Sequence, residues 1–124
     1  MHHLPYKQLA AWQKGMEFVP LVYRLTSRLP SNEQFGLTSQ LRRASVSIVA
    51  NLAEGQARES VRTFAYHVGV ARGSLAEVET LFLISLKLEY LRPEDLKQVM
   101  GCIAEMRRIL TGLSRRLLAE PQAQ

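Results

Sequence analysis

One cysteine, Cys102, stands in 124 residues, so no intramolecular disulfide can form and a reducing compartment fits best. Proline and glycine are sparse, five and seven, leaving long uninterrupted stretches that suit helices. Strand-like alternation bounded by turns is missing throughout. The longest charge-free apolar-rich run, Ala44–Ala53, falls far short of the about 20 residues that span a bilayer. MHHLPYKQLAAW holds no apolar signal core or cleavage site, so a cytoplasmic chain with no membrane contact is expected. Acids are in deficit, with eleven against twelve Arg and four Lys. The net charge of +5 and pI near 9.8 permit attraction to nucleic acid or an anionic surface without establishing it. At 47% hydrophobic and 22% charged the chain is globular, and its length suits one domain, 1–124.

What is present is helical spacing. In the last segment Leu96, Val99, Ile103, Met106, Leu110, Leu113 and Leu117 recur at 3, 4, 3, 4, 3 and 4, the seam of coiled coils and antiparallel bundles. Pro93, Glu94 and Asp95 mark its start, since acids favour the positive helix end. The first segment repeats the spacing with Leu9, Trp12, Met16, Val19 and Tyr23 as its inward stripe, and Pro20 predicts a bend. LPSNEQFG closes that helix, and Ser31 with Gln34 suggests a capping box for the next. Leu37, Leu41, Ala44, Ile48 and Leu52 give the second stripe, which Gly55 and the polar GQARES stretch end. Ser60 is placed to cap a long third helix. Helices are therefore expected near 7–29, 34–55, 60–89 and 93–118, with the EPQAQ tail disordered.

The third helix changes character along its length. Ala65, Gly69, Gly73 and Ala76 form a small-residue stripe, and glycine's cost within a helix implies a close neighbour there. LFLISLKLEYL is apolar on nearly every side. One face of a bundle helix is covered by its own subunit, so a second cover is expected. The inference is a homo-oligomer with Leu81, Leu83 and Leu86 near the subunit contact; an unusually thick core within one subunit is the alternative.

QFGLTSQLRRASVSIVANLAEGQAR, FAYHVGVARGSLAEVET, AWQKGMEFVPLVYRLT and LEYL, in these relative positions, resemble the four-helix-bundle family encoded in 23S rRNA intervening sequences. The resemblance spans most of the chain. It implies an all-α, antiparallel up-down-up-down bundle assembling into a ring-like homo-oligomer, typically a pentamer. Related accessory proteins of diversity-generating retroelements bind nucleic acid and a reverse transcriptase, so RNA, DNA or a nucleic-acid-processing protein are the partners it suggests. Pro20 departs from the residue usual at its position, which bears on the straightness of the first helix.

Catalytic chemistry finds little support. Di-iron bundles need Glu-x-x-His pairs, and three residues before His67 stands Phe64. His67 reads as a packing histidine, His2 and His3 as terminal, and Cys102 as an inert apolar thiol. Gly69 and Gly73 lie within a helix and form no phosphate loop. No metal, cofactor or catalytic residue is expected, and the chain is read as no enzyme.

The arginines divide into two groups. A hairpin of helices two and three turning near Ala57–Arg58 sets Arg43 level with Arg72, and Arg42 level with Gly73 and, one turn on, Glu77. Arg42 or Arg43 is therefore expected to pair with Glu77, within the subunit or across an interface, as a structural ion pair. Asn51 is expected to satisfy backbone groups at the helix end, and Glu54 to pair with Arg58. Arg107, Arg108, Arg115 and Arg116 have no acid between them and are the candidate nucleic-acid-binding residues, multivalent if repeated around a ring. The expected function is binding of nucleic acid or a nucleoprotein partner with little sequence specificity; the alternative is a protein-interaction scaffold with no nucleic-acid ligand.

Overall fold

A computed structural model describes residues 5–120; His2, His3 and the tail beyond Glu120 lie outside the described residues. Four helices make up most of it: α1 Ala10–Thr26, α2 Leu37–Ala57, α3 Val61–Lys87 and α4 Pro93–Ala119. Short 3-10 turns at Tyr6–Gln8 and Ser31–Glu33 precede α1 and α2, and there is no strand among the described residues. All seven positions of the α4 seam and all five of the α2 stripe are buried. They meet Phe64, Val68, Ala71, Leu75, Val78 and Phe82 of α3 in one apolar core.

α1 packs through a different face from the one its large apolar residues suggest. Ala11, Gly15, Phe18, Val22 and Leu25 are buried, whereas Met16 and Tyr23 are 46% and 40% exposed. Leu9, Trp12 and Val19 are half-buried. The inward row is smaller because α1 lies close to its neighbours: a Cβ on Gly15 would come within 2.4 Å of Val49 Cγ1 and 3.6 Å of Met106 Cε. Pro20 sits inside α1 on its exposed side, where the carbonyl deprived of its amide partner can be solvated.

The helix ends are held by specific groups. Ser60 Oγ accepts from the Thr63 amide at 3.2 Å, capping α3 as its position suggests. The capping box of Ser31 with Gln34 is absent; Glu33 Oε1 accepts from the Leu37 amide at 3.1 Å instead. The same carboxylate group reaches the turn between α3 and α4, where Tyr90 Oη donates to Glu33 Oε2 at 3.1 Å. α2 runs past Gly55 to Ala57: Gly55 is a packing residue, its would-be Cβ 2.5 Å from His67 Cβ. The turns after α2 and α3 each use a non-glycine residue in the left-handed region, Glu59 at φ 56° and Glu89 at φ 63°.

Candidate nucleic-acid interface

Helices α2 and α3 are stitched by a polar ladder. Ser47 Oγ and Ser74 Oγ lie 3.0 Å apart. The Asn51 side-chain amide donates to Ser47 O and Oγ at 2.9 and 3.1 Å. That orientation presents Asn51 Oδ1 to His67 Nδ1 at 2.9 Å, which makes the histidine nitrogen the donor. Asn51 thus satisfies a backbone carbonyl of its own helix, as expected, and also holds a side chain of α3. Glu54 pairs with Arg58 at 2.8 Å, and His67 Nε2 lies 4.0 Å from Glu54 Oε2.

These rungs set the hairpin register one turn away from that expected with the bend at Ala57–Arg58, because Glu59 extends the connection. Arg43 and Glu77 now share the rim of a polar depression with Gln40, Ser47 and Ser74, but they form no ion pair. Arg42 does not meet Glu77 within the subunit. It turns toward α1, where its Nε donates to Thr26 Oγ1 at 2.9 Å, its Nη2 to Tyr23 O at 3.4 Å, and its guanidinium lies 4.6 Å from the Tyr23 ring centre. The expected ion pair with Glu77 is absent within the subunit: Arg42 is held by neutral groups of α1, and Arg43 is exposed.

On α4 the four arginines part company. Arg107 leans over α3 and forms an ion pair with Glu79. Arg108, Arg115 and Arg116 are exposed and form no ion pair among the described residues. Arg108 and Arg115 share one side, and Arg116 lies about 100° further round. Between α3 and α4 runs a furrow lined by Gly69, Arg72, Gly73, Leu75, Ala76, Glu79 and Arg107. No side chain covers the glycines: a Cβ on Gly69 or Gly73 would have nothing within 4 Å. At its glycines the stripe expected to hold a close neighbour is therefore open floor in the subunit, whereas Ala65 packs half-buried against the core. Arg72 is the basic residue that sequence reasoning left out of this surface; the length of the α3–α4 hairpin, which sets Glu79 beside Arg107, is the signal that points to it.

Of the residues assigned to a subunit contact, Leu81 belongs to the subunit's own core at 7% exposure, and Leu86 is half-buried against that core. Leu83 is 47% exposed, and Ile84 and Leu88 are exposed too. Cys102 packs half-buried against the core. Among the described residues, no three His, Cys, Asp or Glu side chains converge to hold a metal, and no helix is long and apolar enough to cross a membrane.

An all-helical protein of four helices, presenting basic side chains along its last, is the class that this geometry defines. The family model described as 23S rRNA-intervening sequence protein matches residues 7–112, and the chain belongs to that family. A solved structure from Bacteroides thetaiotaomicron, a protein with unknown function from the S23 ribosomal protein family, matches with a TM-score of 0.78 and 24% identity, over 86% of this chain and 99% of that one. At that identity the likeness speaks for the fold. A comparison with curated proteins gives no match.

Proposed function

We propose that this chain is a non-enzymatic, cytoplasmic helical-bundle protein whose homo-oligomer binds nucleic acid, alone or within a nucleoprotein, through phosphate contacts. The observation that carries the reading is the set of exposed arginines on α4, Arg108, Arg115 and Arg116, with no acid paired to them among the described residues. A guanidinium fork matches phosphate geometry, and isolated side chains along a helix offer no base-reading surface. The description of the family, tied to an rRNA-borne sequence, is consistent with a nucleic-acid setting.

The helices are read as up-down-up-down. α2–α3 contacts pair rising with falling numbers, as in Ser47–Ser74 and Asn51–His67, and Lys14 of α1 with Glu105, and Arg28 just beyond α1 with Asp95, do the same against α4. Assembly into a ring, with five subunits by family resemblance, is supported by the exposed Leu83, Ile84 and Leu88 at one end of α3. A protein scaffold is the second reading, favoured by the exposed apolar Met16, Tyr23 and Val46 along α1 and α2. Binding measured for RNA and DNA separates the two: replacing the three α4 arginines with Lys should retain much of the affinity, and replacing them with Ala should remove most of it. Equal binding by both triple variants would overturn the arginine assignment.

A further inference from the structure

Arg107 is the one α4 arginine of the four whose charge is already taken, and what takes it faces the furrow. We propose that the α3–α4 furrow seats the sugar–phosphate backbone of a nucleic-acid strand, with Arg72 and Arg107 as its phosphate-contacting flanks and Glu79 as an internal stand-in for the phosphate. This rests on the nucleic-acid reading above and names where the strand lies and what regulates its hold.

Arg72 and Arg107 line the same furrow, together with Gly69, Gly73 and Ala76. Arg72 is exposed and forms no ion pair among the described residues. The open space above Gly69 and Gly73 lets a backbone approach without displacing any side chain. The furrow offers no exposed aromatic or large aliphatic anchor: its only large apolar lining residue, Leu75, is 2% exposed. An apolar peptide would find little to hold there, whereas an anionic strand finds two guanidinium groups.

Glu79 gives Arg107 the kind of partner that a phosphate would be, an anionic oxygen, Oε1, accepting from the guanidinium Nη2. The pair is solvated, its side chains 50% and 33% exposed, so it is weak and an arriving phosphate can replace it without stranding a buried charge. Until then Glu79 both occupies Arg107 and repels phosphates. Its effect is to lower affinity and make the furrow engage only when the outer arginines, Arg108 and Arg115, have already brought a strand close.

The test uses the whole protein and fluorescently labelled RNA and DNA, titrated across salt concentrations. Glu79→Gln keeps the side chain's shape and removes its charge; it should raise affinity roughly fivefold at low salt and steepen the salt dependence by about 0.9 in log K per unit log salt for a duplex. Arg107→Ala should cost more affinity in the Glu79→Gln background than in the native one, because only there is the guanidinium free. Gly73→Leu, directed into empty space, should fold and weaken binding by covering the floor. Binding that depends on Arg108 and Arg115 but ignores Glu79→Gln and Gly73→Leu would overturn the furrow while leaving the broader reading intact. No binding to either nucleic acid at low salt would sink both. An acidic peptide that gains from Glu79→Gln when nucleic acid does not would assign the furrow to a protein ligand and overturn the proposal.

Discussion

Glycine has opposite meanings at different positions of this chain, and space decides which. At Gly15 an added Cβ would press on Val49 Cγ1 at 2.4 Å, and at Gly55 on His67 Cβ at 2.5 Å. Gly15→Ala and Gly55→Ala should therefore destabilise by about 1–3 kcal/mol, as overpacked cores do. Gly73 lies on the open side of α3 with nothing within 4 Å, so Gly73→Ala should stabilise by about 0.5–1 kcal/mol through helix propensity. Denaturant unfolding of the three variants checks both signs. Asp95 ties the start of α4 to pH. The Arg92 backbone amide donates to its carboxylate at 2.8 Å and Arg28 lies 3.0 Å away, which together hold its pKa below the ordinary carboxylate value. A lowered folded pKa means stability that is present above the unfolded value of about 3.9 and is lost as pH falls through the folded one. Asp95→Asn should flatten this acid limb in melting temperature against pH. At the other end of the scale Tyr90 is raised by its bond to the Glu33 carboxylate, so its contribution holds below about pH 10 and fades in alkali. Neither group titrates near neutrality.

The first helix shows how a correct period can be read with the wrong face. Trp12, Met16, Val19 and Tyr23 outweigh Ala11, Gly15, Phe18 and Val22 in apolar bulk, yet the smaller row is inside. Phe18→Ala should cost about 3–5 kcal/mol and Met16→Ala within about 0.5 kcal/mol; equal costs would mean that α1 packs the other way round. α2 and α4 were legible because each carries one regular apolar stripe that is buried along its whole length. α1 was not, because two rows compete and the choice is made by close approach to Val49 and Met106, which no local spacing encodes. The same limit applies to the Arg42 contact with Thr26, 16 residues away, and the Tyr90 contact with Glu33, 57 away. At the candidate site the α4 arginines stood out by composition, whereas the pairing of Arg107 with Glu79 depended on a register set by the α3–α4 turn. Since Arg42 is held by α1, Arg42→Ala and Thr26→Val should show a coupling of about 0.5–3 kcal/mol in a double-mutant cycle, and Arg42→Ala and Glu77→Ala should add within a subunit.

For the whole molecule, the proposed assembly would multiply the charge of one chain. A net charge of +5 is modest on one chain and becomes a strong multivalent field when copies are joined. Leu83 is 47% exposed, and Leu83→Glu should reduce the mass measured by sedimentation if it faces a neighbouring subunit, because a buried unpaired carboxylate is costly. Unchanged mass would move the contact away from this end of α3. If the exposed arginines on α4 hold phosphates, a fluorescence titration of RNA and DNA over a range of salt concentrations reads it out. Affinity should fall linearly in log–log form, by about 0.9 per duplex phosphate neutralised. Changing Arg108, Arg115 and Arg116 to Ala should make that slope shallower while the assembly's mass stays the same. An unchanged slope in the triple variant, or no binding to either nucleic acid at low salt, would contradict it.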